Sequence, residues 1–255
     1  MQLKQPLNRY IDHTLLKPDA TLLEFHNLLE EAVQHNFASV CVSPYMALTA
    51  VDALKSYSNI KVCTVVGFPH GNISLALKSK EAQHFIGHGV DEIDFVANVG
   101  LLKSERYEEV GAELETMGQV CHDNNVVSKC IIETCYLTRE EKTFMYRALA
   151  ERTLVNFIKT STGYGPEGAQ AEDVFDWNQR REQSRELTQS DGEPIILENS
   201  REPLKIKAAG GIKDLDSALR FIGCGADRLG MSASVKVVEE WNARDRTFIE
   251  GEEAT

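Results

Sequence analysis

Short apolar runs alternate along this chain with longer stretches in which apolar residues recur at helical spacing. The runs fall at 10–16, 38–44, 61–68, 92–99, 127–134, 155–162, 204–211 and 227–232, the first being the weakest. Between the first two, TLLEFHNLLEEAVQHNF (21–37) sets Leu22, Phe25, Leu29, Ala32 and Val33 along one face of a helix. The stretches 74–89 and 104–124 repeat that pattern. Strands that are nearly continuous in apolar residues are buried on both faces, the condition of a parallel sheet covered by helices. Eight such units in 255 residues predict an α/β protein built as a single (β/α)8 TIM barrel with an N-terminal helical addition. An open doubly wound sheet is the alternative.

One stretch breaks the rhythm. Residues 178–203, NQRREQSRELTQSDGEPIILENSREP, are long, polar and mixed in charge. They read as a polar insertion, a helix extension followed by a solvated loop, with an oligomer contact as the sharper alternative. No internal repeat or linker divides the chain, so it reads as one domain over 1–255 with a loose tail at 243–255.

Composition narrows the function. A content of 42% hydrophobic and 26% charged residues fits a folded, core-forming protein, and a net charge of -12 argues against general nucleic-acid binding. It leaves room for an anionic substrate in a local positive pocket. No run nears the roughly 18 apolar residues of a membrane span, and the opening MQLKQPLNRY lacks the apolar stretch of a signal peptide. Cys41, Cys63, Cys121, Cys130, Cys135 and Cys224 are scattered without a CxxC pair. Reduced thiols in a cytoplasmic protein are therefore expected, with no metal.

Four of the buried strands carry a charge, which desolvation makes rare. Asp94 lies in EIDFVA, Lys129 in VSKCII, Lys159 in NFIKTST and Lys207 in KIKAAGG, at or near strand C-termini. Barrel enzymes assemble their sites at those ends. The set suits amine catalysis: a lysine is a poor nucleophile while protonated, and burial beside a second cation disfavours its charged form. Lys159 and Lys207 can supply that pair, and an aspartate among them can trade protons with a substrate. An iminium is its own electron sink, so no cofactor is required. Glycine-rich turns follow: TGYGPEGAQ after Lys159, holding a literal GxGxxG at Gly163, Gly165 and Gly168, then Gly210 and Gly211 after Lys207, and Gly230 and Ser232 in the last strand and its loop. Backbone N–H groups in such turns can approach a phosphate, and barrels often bind one after strands seven and eight.

FIKTSTG (157–163), KAAGGIKD (207–214), DEIDFVANVG (91–100), VSKCIIET (127–134), CTVVGFPHG (63–71) and IDHTLL (11–16) together resemble the deoxyribose-phosphate aldolase family, in the family's order, from about residue 8 to about residue 240. The resemblance implies a metal-independent lyase of deoxyribonucleotide catabolism. That class I aldolase cleaves 2-deoxy-D-ribose 5-phosphate reversibly to D-glyceraldehyde 3-phosphate and acetaldehyde. It implies Lys159 as the Schiff-base lysine, Lys207 as the lysine that depresses its pKa, Asp94 as the acid/base and Lys129 as that aspartate's ion partner. Asp12 and Thr14 resemble the polar pair near the substrate hydroxyl, Cys41 the cysteine near the aldehyde, and Thr162 lies in the KTSTG block. Phosphate would rest on Gly163, Gly210, Gly211, Gly230 and Ser232, with Lys213 beside them. The resemblance also suggests a homodimer.

The chain departs from the family at several points. Tyr164 stands where some members have a phosphate-facing lysine. Lys213 replaces a common arginine, a point charge in place of a bidentate fork. Ala233 replaces a second serine, and the tail EGEEAT has no terminal tyrosine. These bear on substrate preference more than on reaction type. His13 and His70 lie near the expected site loops, whereas His26, His35, His84, His88 and His122 read as helix-surface or helix-end residues. The rival readings are a nucleotide-dependent oxidoreductase using the 163–168 glycines, a non-catalytic sugar-phosphate sensor, and a related Schiff-base aldolase with another aldehyde or sugar-phosphate substrate.

Overall fold

A computed structural model describes residues 3–190 and 202–252. A 3₁₀ turn, Leu7–Tyr10, precedes eight strand–helix units. These are β1 (Ile11–Leu15) with α1 (Leu22–His35), β2 (Ser39–Val42) with α2 (Pro44–Leu54), and β3 (Lys61–Val66) with α3 (Leu75–Gly87). Next come β4 (Glu92–Val96) with the short α4 (Val99–Lys103) and α5 (Tyr107–His122), then β5 (Val127–Ile131) with α6 (Arg139–Arg152). The last are β6 (Phe157–Lys159) with α7 (Ala171–Ser190), β7 (Lys205–Ala209) with α8 (Leu215–Gly223), and β8 (Arg228–Met231) with α9 (Ser234–Glu252). Every strand is parallel to its neighbours, and β8 pairs with β1 to close the barrel. The open sheet is excluded, and the expected N-terminal helical addition amounts to the single 3₁₀ turn.

Local chemistry marks the helix ends. Thr21 and Glu24 form a capping box that starts α1, and Asn36, left-handed at φ 51°, ends it. Thr138 and Glu141 start α6 in the same way. Strand alternation then divides the interior. Val40 and Val42 face the main core between barrel and helices, while Cys41 between them turns into the lumen beside Cys63 and Val65.

A buried ion pair ties the helical shell to the barrel mouth. Lys78 of α3 meets Glu113 of α5 and donates to the carbonyls of Val96 at 2.6 Å and Gly71 at 3.1 Å. Glu113 also accepts from the N–H of Asn98 at 2.8 Å. Two helix-borne side chains thus fix the loop after β3 against the end of β4.

The stretch at 178–203 begins as helix: α7 carries it to Ser190, and 191–201 lie outside the described residues. Arg181 anchors this extension on Asp227 at 2.5 Å, the same carboxylate that accepts from Ile206 N–H. α9 is helical to Glu252 where a loose tail from 243 is expected, and 253–255 lie outside the described residues. At the start of that stretch Arg244 bonds Glu240 one turn back at 2.6 Å and Asp216 of α8 at 2.9 Å. Among the described residues no helix is long and apolar enough to cross a membrane.

Breaking the Lys78–Glu113 pair from one side strands a buried ammonium. Glu113→Ala should lower unfolding free energy by about 3–5 kcal/mol, whereas replacing both partners with Met and Leu should cost far less. Urea denaturation measures both. An unshifted midpoint in Glu113→Ala would show that the pair does not hold the shell.

Candidate active site

Asp94 sits in β4, and its carboxylate crosses the barrel lumen to strands on the far side. One oxygen, Oδ2, takes Lys159 Nζ of β6 at 2.6 Å and Lys207 Nζ of β7 at 2.8 Å. The other, Oδ1, takes Lys129 Nζ of β5 at 2.7 Å and the Cys63 thiol of β3 at 3.2 Å. Two ammonium nitrogens on one oxygen are near neighbours, so the strands deliver Lys159 and Lys207 to a single point. Lys159↔Lys207 and Asp94↔Lys129 are register partners, so parallel pairing itself sets these side chains level.

A second layer supports the first. Asp12 of β1 makes an ion contact with Lys207 at 2.5 Å, takes the Ser39 hydroxyl at 2.6 Å and binds Arg228 at 2.5 Å. Glu92 contacts Lys129 at 2.6 Å and Arg228 at 3.5 Å. For Asp12, Asp94, Lys129 and Lys207, burial disfavours the charged form and the opposite charges around them outweigh it. Against that burial, Lys129, Lys159 and Lys207 hold Asp94 well below the usual carboxylate range. Arg228 and the lysines likewise hold Asp12 down. Lys207, buried but flanked by Asp12 and Asp94, is raised and keeps its proton; Asp94 and its neighbours do the same for Lys129.

Cys41 is buried beside Cys63, and the hydrogen bond between the thiols lowers Cys41 while burial raises Cys63. Thr14 turns its hydroxyl to the carbonyl of Asp12 at 2.8 Å. Thr162 gives its N–H and hydroxyl to Glu133. Around the mouth, Gly163, Gly210 and Gly211 hold φ values of 88°, 90° and 81°, which side chains rarely adopt. A Cβ at Gly168 would collide with the Gly210 carbonyl, and one at Gly165 would meet the Cys135 sulfur. The literal GxGxxG thus packs the loop after β6 against the loops after β5 and β7. Gly230 lies lower than the others, and a Cβ there would press on the Lys207 side chain and Ala209. Lys213 and Ser232 are exposed on the loops after β7 and β8. Asp214 caps α8 by accepting from Ser217 N–H, so that helix end already holds a carboxylate.

The structure adds residues that strand-by-strand reading leaves out: Glu92, Arg228, Ser39, Cys63 and Glu133. Glu92 lies two positions before Asp94 and so shares its face, a spacing the sequence displays. Arg228 opens β8, where a polar residue reads as an ordinary strand boundary. His13 bonds Glu31 at 2.8 Å and Ser234 at 3.0 Å, away from the lysines. His70 is exposed. Tyr164 reaches across the mouth, its hydroxyl on the Leu16 carbonyl at 2.7 Å and its ring edge-on to Phe68.

A closed parallel barrel with charged side chains converging inside it defines an enzyme of the TIM-barrel class. The model of the DeoC/LacD family aldolases matches residues 8–233, and the chain belongs to that family. It is 40% identical to the deoxyribose-phosphate aldolase of Thermoanaerobacter sp. (strain X514) over 235 residues, 92% of this chain and 96% of the relative. It is 42% identical to that of Ureaplasma urealyticum serovar 10 over 229 residues, 90% and 96% of the two chains. Among solved structures it resembles the tetrameric deoxyribose phosphate aldolase of Aeropyrum pernix, with a TM-score of 0.76, 28% identity, and 92% and 91% of the chains covered.

The charge cluster gives stability a defined pH dependence. Asp12 and Asp94 are depressed, so their contribution is complete above the unfolded carboxylate value of about 4 and is lost as pH falls through their folded values. Lys129 and Lys207 are raised, so theirs is complete below about 10.4 and is lost as pH climbs further. Asp12→Asn should be less stable near neutrality yet lose less on acidification, measured by urea unfolding between about pH 3 and 7. An acid slope equal to the parent's would show that Asp12 is not held low.

Proposed function

We propose that this barrel is a Schiff-base aldolase that cleaves 2-deoxy-D-ribose 5-phosphate reversibly to D-glyceraldehyde 3-phosphate and acetaldehyde. One observation carries the reading: Lys159 and Lys207 converge on one oxygen of Asp94. The lumen groups comprise three carboxylates, Asp12, Glu92 and Asp94, against four cations, Lys129, Lys159, Lys207 and Arg228. One proton can therefore leave without stranding a buried anion. Among the described residues Lys207 and Lys129 each contact more than one carboxylate, whereas Lys159 contacts Asp94 alone and serves as the nucleophile in this reading.

In this reading the neutral Lys159 amine adds to the C1 aldehyde of the open-chain substrate, and loss of water gives an iminium. Deprotonation of the C3 hydroxyl breaks the C2–C3 bond, releases glyceraldehyde 3-phosphate and leaves an enamine. Protonation at C2 and hydrolysis then free acetaldehyde and the lysine. Asp94 and the Lys207 ammonium carry these protons as base and acid. Lys129 holds Asp94 in place, and Asp12 with Thr14 sits beside the substrate hydroxyl. Gly163, Gly210, Gly211, Gly230 and Ser232, with Lys213, seat the phosphate, and the missing Cβ at Gly230 also leaves room for Lys207. The iminium stores the electron pair, so no metal takes part. Self-association belongs to the same reading, supported by the tetrameric relative from Aeropyrum pernix.

A coupled assay for glyceraldehyde 3-phosphate, run with chelator present, should show turnover of deoxyribose 5-phosphate. Borohydride added with that substrate should fix a mass adduct on Lys159, and Lys159→Ala should abolish both signals. Lys207→Leu should lose at least about 100-fold in turnover by removing a proton carrier. Full activity in Lys159→Ala, or a mass spectrum without adduct, would defeat the proposal.

A further inference from the structure

Glu133 holds a backbone conformation that needs a reason. It follows β5 with φ 51° and ψ 69°, a left-handed geometry unfavourable for a residue with a Cβ. Its side chain is also buried. Among the described residues no cation contacts its carboxylate. Thr162 satisfies it instead, donating its N–H at 3.2 Å to Oε1 and 3.3 Å to Oε2, and its hydroxyl to Oε2. That hydroxyl in turn accepts from Tyr164 N–H at 3.0 Å. The backbone repeats the connection, with Thr134 N–H donating to the Thr160 carbonyl at 2.9 Å.

A glycine at this position would remove both penalties, the left-handed backbone strain and the buried carboxylate, and an asparagine would lessen them. What such a residue would lose is the grip on Thr162. The gripped turn follows directly on Lys159 and contains Gly163. Hydrogen bonds donated to a carboxylate are the stronger kind and fix geometry accordingly.

We propose that Glu133 is a positioning residue that sets the Thr160–Tyr164 turn and, through Gly163, the seat of the substrate's phosphate. It governs preference for phosphorylated over unphosphorylated sugar, and it leaves the chemistry at Lys159 alone. Its oxygens meet Thr162 and, at 3.8 Å, the Cys135 thiol. The inference rests on the reading above that Gly163 receives phosphate.

Two variants test it. Glu133→Ala removes both acceptor oxygens, and Glu133→Gln keeps the shape and one of them. In Glu133→Ala the KM for deoxyribose 5-phosphate should rise about tenfold to a hundredfold, with kcat little changed. Glu133→Gln should recover part of that loss. Turnover of unphosphorylated deoxyribose should match the parent in both, so preference for the phosphate collapses. A merely structural role would lower both substrates together and would lower the thermal midpoint in step; either equal loss on both substrates or no loss on either overturns the inference. If Glu133→Ala does not fold, the comparison rests on Glu133→Gln alone. A parent enzyme indifferent to the phosphate would remove the functional reading first, and this inference with it.

Discussion

Charges can be taken into a protein interior only in company, and the lumen of this barrel is filled by that constraint. Asp94 is its centre. Lys129, Lys159 and Lys207 all end on its two oxygens, and each lysine arrives from a different strand. Without the carboxylate, three buried lysines would face one another; without the lysines, a buried carboxylate would stand uncompensated. The second layer of Asp12, Glu92 and Arg228 extends the same compensation downward. Barrel closure is what makes the compensation geometrically available, because β4 and β7 stand three strands apart round the ring yet their side chains meet inside it.

The mouth is built by a different device. Glycines at 163, 210 and 211 give the loops conformations that side chains disfavour, and Gly168 lets one loop lie against another without a Cβ between them. Side chains buried behind the loops then hold them. Lys78 and Glu113 pin the loop after β3 to the end of β4, and Glu133 pins the turn after β6 to the loop after β5. The clustered charges of the lumen stand on strands, whereas the glycines of the mouth stand on loops, and the turn after β6 is fixed from behind by a carboxylate.

Much of this was legible along the chain. Each of the eight apolar runs is a strand, because strands buried on both faces cannot hide their composition. Asp94, Lys129, Lys159 and Lys207 announced themselves as charges in apolar surroundings, and the structure brings all four together. Glu92 and Arg228 did not, since each opens a strand where polar residues are ordinary. Their charge becomes meaningful only when barrel closure sets β8 beside β1 and the lumen opposes them. The start of the last charged run shows the same dependence on distant partners. The charged run after Trp241 looks solvated in one dimension, yet Arg244 finds Glu240 a turn back and Asp216 on the neighbouring helix.

Glu133 marks the limit of linear reading more sharply. In sequence it is one acid at the end of VSKCIIET, a position that reads as a polar strand terminus. Nothing local predicts a left-handed backbone there, and helix or strand propensity would favour another residue. Its reason lies 29 positions away at Thr162, on the next strand's turn. A residue that is locally unfavourable and remotely satisfied is where the demands of a site exceed those of the fold. In this barrel the fold follows from repetition, whereas the site follows from the few residues that break it.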